Sequence, residues 1–211
     1  MNGVKRFFRL YSLPMYILVR PFAGFYAMKF EGKGTVRLAL FNFVMLCVAY
    51  AFSNQYTSIL ADDRHPFMIN SVMTAFYLAG MLLLFCIANW SVTSISNGEG
   101  RFKDIVMAIC YAMTPLILTI ISATIISNFL TAEEMGLHTL ILGAGFFYFI
   151  LLCFTGLLTV HNYGAVKALL MIFMTFIAIL IIVFLGALLF TLWAQLGSFA
   201  YSLYTELVFR F

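Results

Sequence analysis

The sequence predicts an all-α, polytopic membrane protein with five transmembrane helices, its N-terminus cytoplasmic and its C-terminus external. Three observations carry that expectation. The first is composition: of 211 residues, 64% are hydrophobic and only 9% charged, whereas about a quarter of a soluble domain is charged. The second is where the charges lie. No Asp, Glu, Lys or Arg occurs between positions 38 and 61, 66 and 98, 105 and 132, 135 and 166, or 168 and 205. Each gap exceeds the ~20 apolar residues a helix needs to cross ~30 Å of hydrocarbon, and the ~10-residue alternation of a membrane β-barrel is absent. The third is the asymmetry of basic residues. Lys5, Arg6, Arg9, Arg20, Lys29, Lys33 and Arg37 lie at the N-terminal side, and five spans return Arg101, Lys103 and Lys167 to it. The other side receives Arg64 and Arg210 alone. The side richer in Lys and Arg stays in the cytoplasm.

Residues 1–35 read as an amphipathic membrane-surface segment. Val4, Phe7, Phe8 and Tyr11 recur at spacings of three and four with Lys5, Arg6 and Arg9 between them, the pattern of a helix lying in the headgroup layer. Pro21 suits the first position of a second short helix, in which Phe22, Phe25, Tyr26, Lys29 and Phe30 share a face. Phe7, Phe8, Phe22 and Phe25 are the expected anchors, and the basic residues would attract anionic lipid headgroups. Docking of another membrane protein fits the same residues. Gly32-Lys33-Gly34 then turns the chain into a five-helix domain over 36–195.

The first span, near Val36 to Phe52, carries one strongly polar residue, Asn42. The loop after it holds Asp62-Asp63-Arg64-His65-Pro66, better read as solvated charge than as a metal site. The second span runs from about Asn70 to Ser94, with Trp90 at the depth where tryptophan favours the membrane interface. A polar link follows: Asn97-Gly98-Glu99-Gly100-Arg101-Phe102-Lys103-Asp104. Asn-Gly is a turn signal. The glycines resemble a phosphate loop only superficially, since the Lys-Ser/Thr pair is missing. Asp104 suits a helix cap. Gly98, Glu99, Gly100, Arg101, Lys103 and Asp104 are therefore the candidate cytoplasmic recognition loop, with a plain turn and cap as the competing explanation.

The third span, near Ile105 to Leu130, contains Tyr111 and Pro115, and Pro115 is expected to kink it. Thr114 or Thr119 would satisfy the backbone groups that the kink frees. Thr131 and Glu134 form a capping-box pattern opening the fourth span, Met135 to Val160, with a narrow waist at Gly143-Ala144-Gly145. His138 and His161 read as interfacial hydrogen-bonding residues rather than a proton relay. His161-Asn162-Tyr163-Gly164 is a tight turn into a long fifth span, Ala165 to Gln195, followed by an aromatic external tail over 196–211. Cys47, Cys86, Cys110 and Cys153 fall in separate apolar runs and read as packing residues.

No catalytic constellation, metal-ligand set or cofactor motif emerges, and no nucleic-acid partner is expected. The spans also lack a mid-membrane Asp, Glu, Lys or Arg of the kind that ion-coupled transporters keep. A non-enzymatic protein that organises lipid or a partner fits better than a small-solute permease or an accessory subunit of a carbohydrate transporter, and both fit better than an enzyme. Trp90, Gly98-Glu99-Gly100, Phe102-Lys103-Asp104-Ile105, Tyr111-Ala112-Met113-Thr114-Pro115 and Arg20-Pro21-Phe22 together resemble the Yip (Ypt-interacting protein) domain family, in its bacterial form. The resemblance implies a five-span fold, a place in the bacterial cytoplasmic membrane and a membrane-organising or partner-binding role. Eukaryotic members carry an acidic Asp-Leu-Tyr-Gly-Pro motif. Here Leu18-Val19-Arg20-Pro21-Phe22 stands in its place, so binding of Rab-type GTPases is not implied.

Overall fold

The computed structural model describes residues 13–58 and 70–209. Phe7, Phe8 and the Asp62 to Pro66 cluster lie outside them. Every regular element among the described residues is a helix. Two short ones come first, α1 (residues 13–19) and α2 (Pro21–Lys29), the latter with proline in its first turn. Five apolar segments long enough to cross a membrane follow. They are α3 (Val36–Tyr56), α4 (Ser71–Ile95), a third divided into α5 (Phe102–Ala112) and α6 (Thr114–Ser127), α7 (Met135–His161) and α8 (Ala165–Phe209).

Local chemistry sets several of these boundaries. The Asn70 side-chain oxygen accepts from the backbone N–H groups of Val72 at 3.0 Å and Met73 at 3.2 Å, satisfying donors that the start of a helix leaves orphaned. Asn97 and Asn162, just beyond α4 and α7, both take the left-handed conformation with φ of 55°, which asparagine tolerates at a helix stop. The Thr131 N–H and hydroxyl donate to Glu134 Oε2 at 3.1 and 3.0 Å, fixing one 3-10 turn ahead of α7.

The third segment is the centre of the bundle. In its most apolar stretch 72% of the residues are buried inside the bundle, and in no other span does that share exceed 28%. It packs against α3, α4 and α7, while α8 leans chiefly on α4. Where lipid is as apolar as a protein core, small residues decide which helices approach closely. At Gly145 of the expected waist, a β-carbon would fall 2.0 Å from Thr119 Oγ1, whereas Gly143 faces open space.

The first span runs on to Tyr56, one turn past Phe52, and the third ends at Ser127, short of Leu130; two other boundaries differ more from the sequence reading. The third span begins at Phe102, one turn before Ile105, and is divided at Met113. The fifth does not stop near Gln195 but continues without a break to Phe209, 45 residues in all, or about 68 Å at the standard rise. Nothing from Leu196 onward can stop a helix. No proline occurs there, and a lone Gly197 costs only about 1 kcal/mol.

Candidate functional site

The link between α4 and α5 folds as a close-packed cover over the ends of α7 and α8. The Gly98 N–H donates back to the Thr93 carbonyl at 2.8 Å, closing α4. A β-carbon at Gly98 would lie 2.7 Å from both His161 Nδ1 and Tyr163 Oη. One at Gly100 would lie 2.6 Å from His161 Cε1 and 2.8 Å from Nδ1. Such separations are far inside van der Waals contact, so both glycines are required by close approach.

Beneath them lies a buried polar chain that can be assigned proton by proton. The Thr175 hydroxyl donates to the Met171 carbonyl at 2.7 Å, so it must accept from Asn89 Nδ2 at 3.0 Å. That orientation turns Asn89 Oδ1 toward His161 Nε2 at 3.2 Å, and an acceptor there requires Nε2 to carry the hydrogen. His161 Nδ1 is buried with no hydrogen-bond partner and faces the two glycines. The Thr93 hydroxyl donates to the Asn89 carbonyl at 2.7 Å. The cleft beside this chain leaves no space for a water-sized molecule. It is a clasp joining α4, α7 and α8, not a binding cavity.

The rim is polar. The imidazole of His161 stacks on Tyr163 with ring centres 5.3 Å apart, and the Lys167 ammonium lies 4.2 Å over the Tyr163 ring. Lys167 also donates to the Ser96 carbonyl at 3.1 Å. Lys29 donates to the Val160 carbonyl at the end of α7, where a cation suits the negative end of the helix dipole. It also lies 4.0 Å from Glu99. Asp104 caps the start of α5 from its third position rather than as the N-cap residue: the helix starts at Phe102, and the carboxylate accepts from the Arg101 N–H at 3.3 Å, as in a capping box. Asp104 is buried, whereas Glu99, Arg101 and Lys103 are exposed. The loop thus holds its backbone still and turns three charged side chains outward.

Tyr111 and Pro115 lie deeper, at the division of the third span. Pro115 has no N–H to offer the Tyr111 carbonyl, and the Thr114 hydroxyl supplies that bond at 2.7 Å. Asn42 Nδ2 of α3 donates to the Cys110 carbonyl at 2.7 Å and to Thr114 Oγ1 at 3.2 Å. The Tyr111 hydroxyl donates to the Thr35 carbonyl at 3.0 Å and accepts the Thr35 N–H at 3.2 Å, fixing the start of α3.

Of the expected surface anchors, Phe22 is 60% exposed but Phe25 is 0% exposed. Phe25 is corrected to a core residue: the missing side chain of Gly156 makes room for its ring against α7. Sequence reasoning did not connect Asn89, His161 and Thr175. The available signal was that Asn89 and Thr175 are polar residues in otherwise apolar runs.

A family model described as the Yip1 domain matches residues 15–204 of the chain. No curated protein and no solved structure matches it.

Proposed function

The chain belongs to the Yip1 domain family, and from that premise we propose that this multi-pass membrane protein is a non-enzymatic adaptor. Its α4–α5 loop is the recognition surface, displayed on the cytoplasmic side of a bacterial inner membrane. One observation carries the reading. Gly98 and Gly100 are pressed onto the His161 clasp, so the loop backbone is held while Arg101, Lys103 and Glu99, the last with only a 4.0 Å contact to Lys29, stay exposed to meet a partner. A connector needs no such support, because a turn between two helices tolerates ordinary residues and motion. A pre-ordered loop loses less freedom when it binds. The basic majority of the exposed charges favours an acidic partner surface or anionic headgroups.

The division at Met113 favours a second reading, a small-solute permease, because broken helices and buried polar groups mark transporter sites. Asn42 Oδ1, buried there without a hydrogen-bond partner, is the specific observation in its support. The two readings separate experimentally. A photo-crosslinker at Phe102 in native membranes should give discrete protein or lipid adducts, and the purified chain in liposomes should show no solute flux above empty liposomes. Flux without adducts would select the permease.

A further inference from the structure

We infer that α1 and α2 are embedded in the hydrocarbon beside α7, with Arg20 at mid-bilayer depth, where it binds the phosphate of a phospholipid. Three contacts fix the register. Lys29 reaches the Val160 carbonyl, Phe25 packs where a β-carbon on Gly156 would sit 3.0 Å from its ring, and the Tyr148 hydroxyl donates to the Leu18 carbonyl. As the chain runs back from Lys29 to Leu18, its partners on α7 run from Val160 to Tyr148. Tyr148 is the middle residue of Met135–His161. The twelve residues from Tyr148 to Val160 measure about 18 Å along the axis; the nine-residue α2 covers about 14 Å of that, and the Lys29 and Tyr148 side chains bridge the rest, so the bend lies nearly half-way through the ~30 Å hydrocarbon layer. A helix lying in the headgroup layer would stay at one level of α7. This one descends from the end of the span to its middle.

At the bottom the chain bends sharply. Arg20 leaves helical geometry with φ −133° and ψ 79°, and α1 folds back so closely that a β-carbon on Gly24 would lie 2.7 Å from Ile17 Cα. The outward residues of the bend are Val19, Phe22 and Tyr26, 76%, 60% and 54% exposed, and acyl chains are the medium that suits them. Arg20 is exposed among them. No carboxylate among the described residues lies within ion-pair distance of it. The acidic groups of that half of the bundle are engaged elsewhere: Glu31 pairs with Lys33, Glu99 lies 4.0 Å from Lys29, and the Asp104 carboxylate accepts from the Arg101 N–H. An arginine at this depth is costly unless it snorkels and draws water and headgroups toward itself. Its planar fork matches phosphate oxygens in a bidentate pair, and a phospholipid presents that group already joined to the acyl chains the bend requires.

Depth and ligand are tested separately on the full chain. A fluorescent unnatural amino acid at Val19, which leaves the native cysteines in place, should be quenched most by lipids brominated at mid-chain. Strongest quenching by headgroup-level quenchers would return the segment to the membrane surface and overturn the inference. Short-chain phosphatidylglycerol should bind the detergent-solubilised protein, and Arg20→Gln should weaken it about tenfold or more, as expected for loss of a charge-assisted pair. Arg20→Lys should fall between. Short-chain diacylglycerol, which lacks the phosphate, should not distinguish the variants, and millimolar inorganic phosphate should not displace the lipid. Equal phosphatidylglycerol affinity of wild type and Arg20→Gln, or displacement by inorganic phosphate, would remove the phospholipid site.

Discussion

Gly100→Ala adds one methyl group to the loop, and its surroundings predict what that costs. The new carbon would meet His161 Cε1 at 2.6 Å, Nδ1 at 2.8 Å and Val160 Cγ1 at 2.8 Å. His161 cannot easily withdraw, because Asn89 holds Nε2 and Tyr163 stacks on the ring. The loop must lift instead, loosening the Arg101–Asp104 bond at the start of α5. Overpacking of this kind typically costs about 1–3 kcal/mol. For a chain of this size, about 2 kcal/mol lowers Tm by roughly 4–8 °C. Thermal unfolding of the detergent-purified protein, followed by the fluorescence of Trp90 and Trp193, measures it. Two controls isolate the cause. Gly164→Ala faces open space and should melt like wild type. Glu99→Ala removes an exposed charge and its long contact to Lys29, worth less than ~1 kcal/mol. A Gly100→Ala protein melting within about 1 °C of wild type would show that the loop is not packed on His161, and the argument for a pre-ordered surface would fail.

Three further outcomes follow from the same contacts. Asn42→Ala should destabilise by about 1–3 kcal/mol, because it removes the buried side-chain donor to the Cys110 carbonyl and Thr114 Oγ1 and leaves that carbonyl only the longer 3.3 Å bond from the Met113 N–H. Pro115→Ala should reduce that penalty by freeing residue 114 to take helical geometry, so that the Thr114 N–H can reach the Cys110 carbonyl, a coupling of at least ~0.5 kcal/mol in a double-mutant cycle; strict additivity would refute the link. His161→Phe should cost about 1–3 kcal/mol by leaving Asn89 Oδ1 without its donor, and His161→Gln should recover part of it by offering an N–H; equal losses would show that the hydrogen bond contributes nothing. A membrane-impermeant thiol reagent applied to intact cells should label Glu134→Cys and spare Glu99→Cys, and the inverse pattern would reverse the proposed topology.

What was legible in the sequence follows from what the bilayer imposes. A span must exceed ~20 apolar residues, so the gaps between charges located the five helices that the structure shows. Loop chemistry was legible for the same kind of reason: Asn97 and Asn162 stop helices through their own backbone conformation. Helix partnerships were not legible, because in lipid a packed face need be no more apolar than an exposed one. Periodicity grouped Phe22 with Phe25 on one face but could not show that Phe25 turns inward onto Gly156 while Phe22 faces out. Asn89 and Thr175 lie on different spans, and no local pattern couples them. The end of α8 was misplaced because aromatic and small residues suggest an interfacial tail, yet they propagate a helix once it is nucleated.

Replacement of Glu99, Arg101 and Lys103 together by serine tests the recognition surface most directly. All three side chains are exposed, and none contributes to the His161 clasp. The triple variant should therefore unfold within about 1 kcal/mol of wild type. In native membranes it should lose the adducts formed from a photo-crosslinker placed at Phe102. Unchanged stability with an unchanged set of adducts would contradict the account and leave the loop as a well-packed connector between two spans.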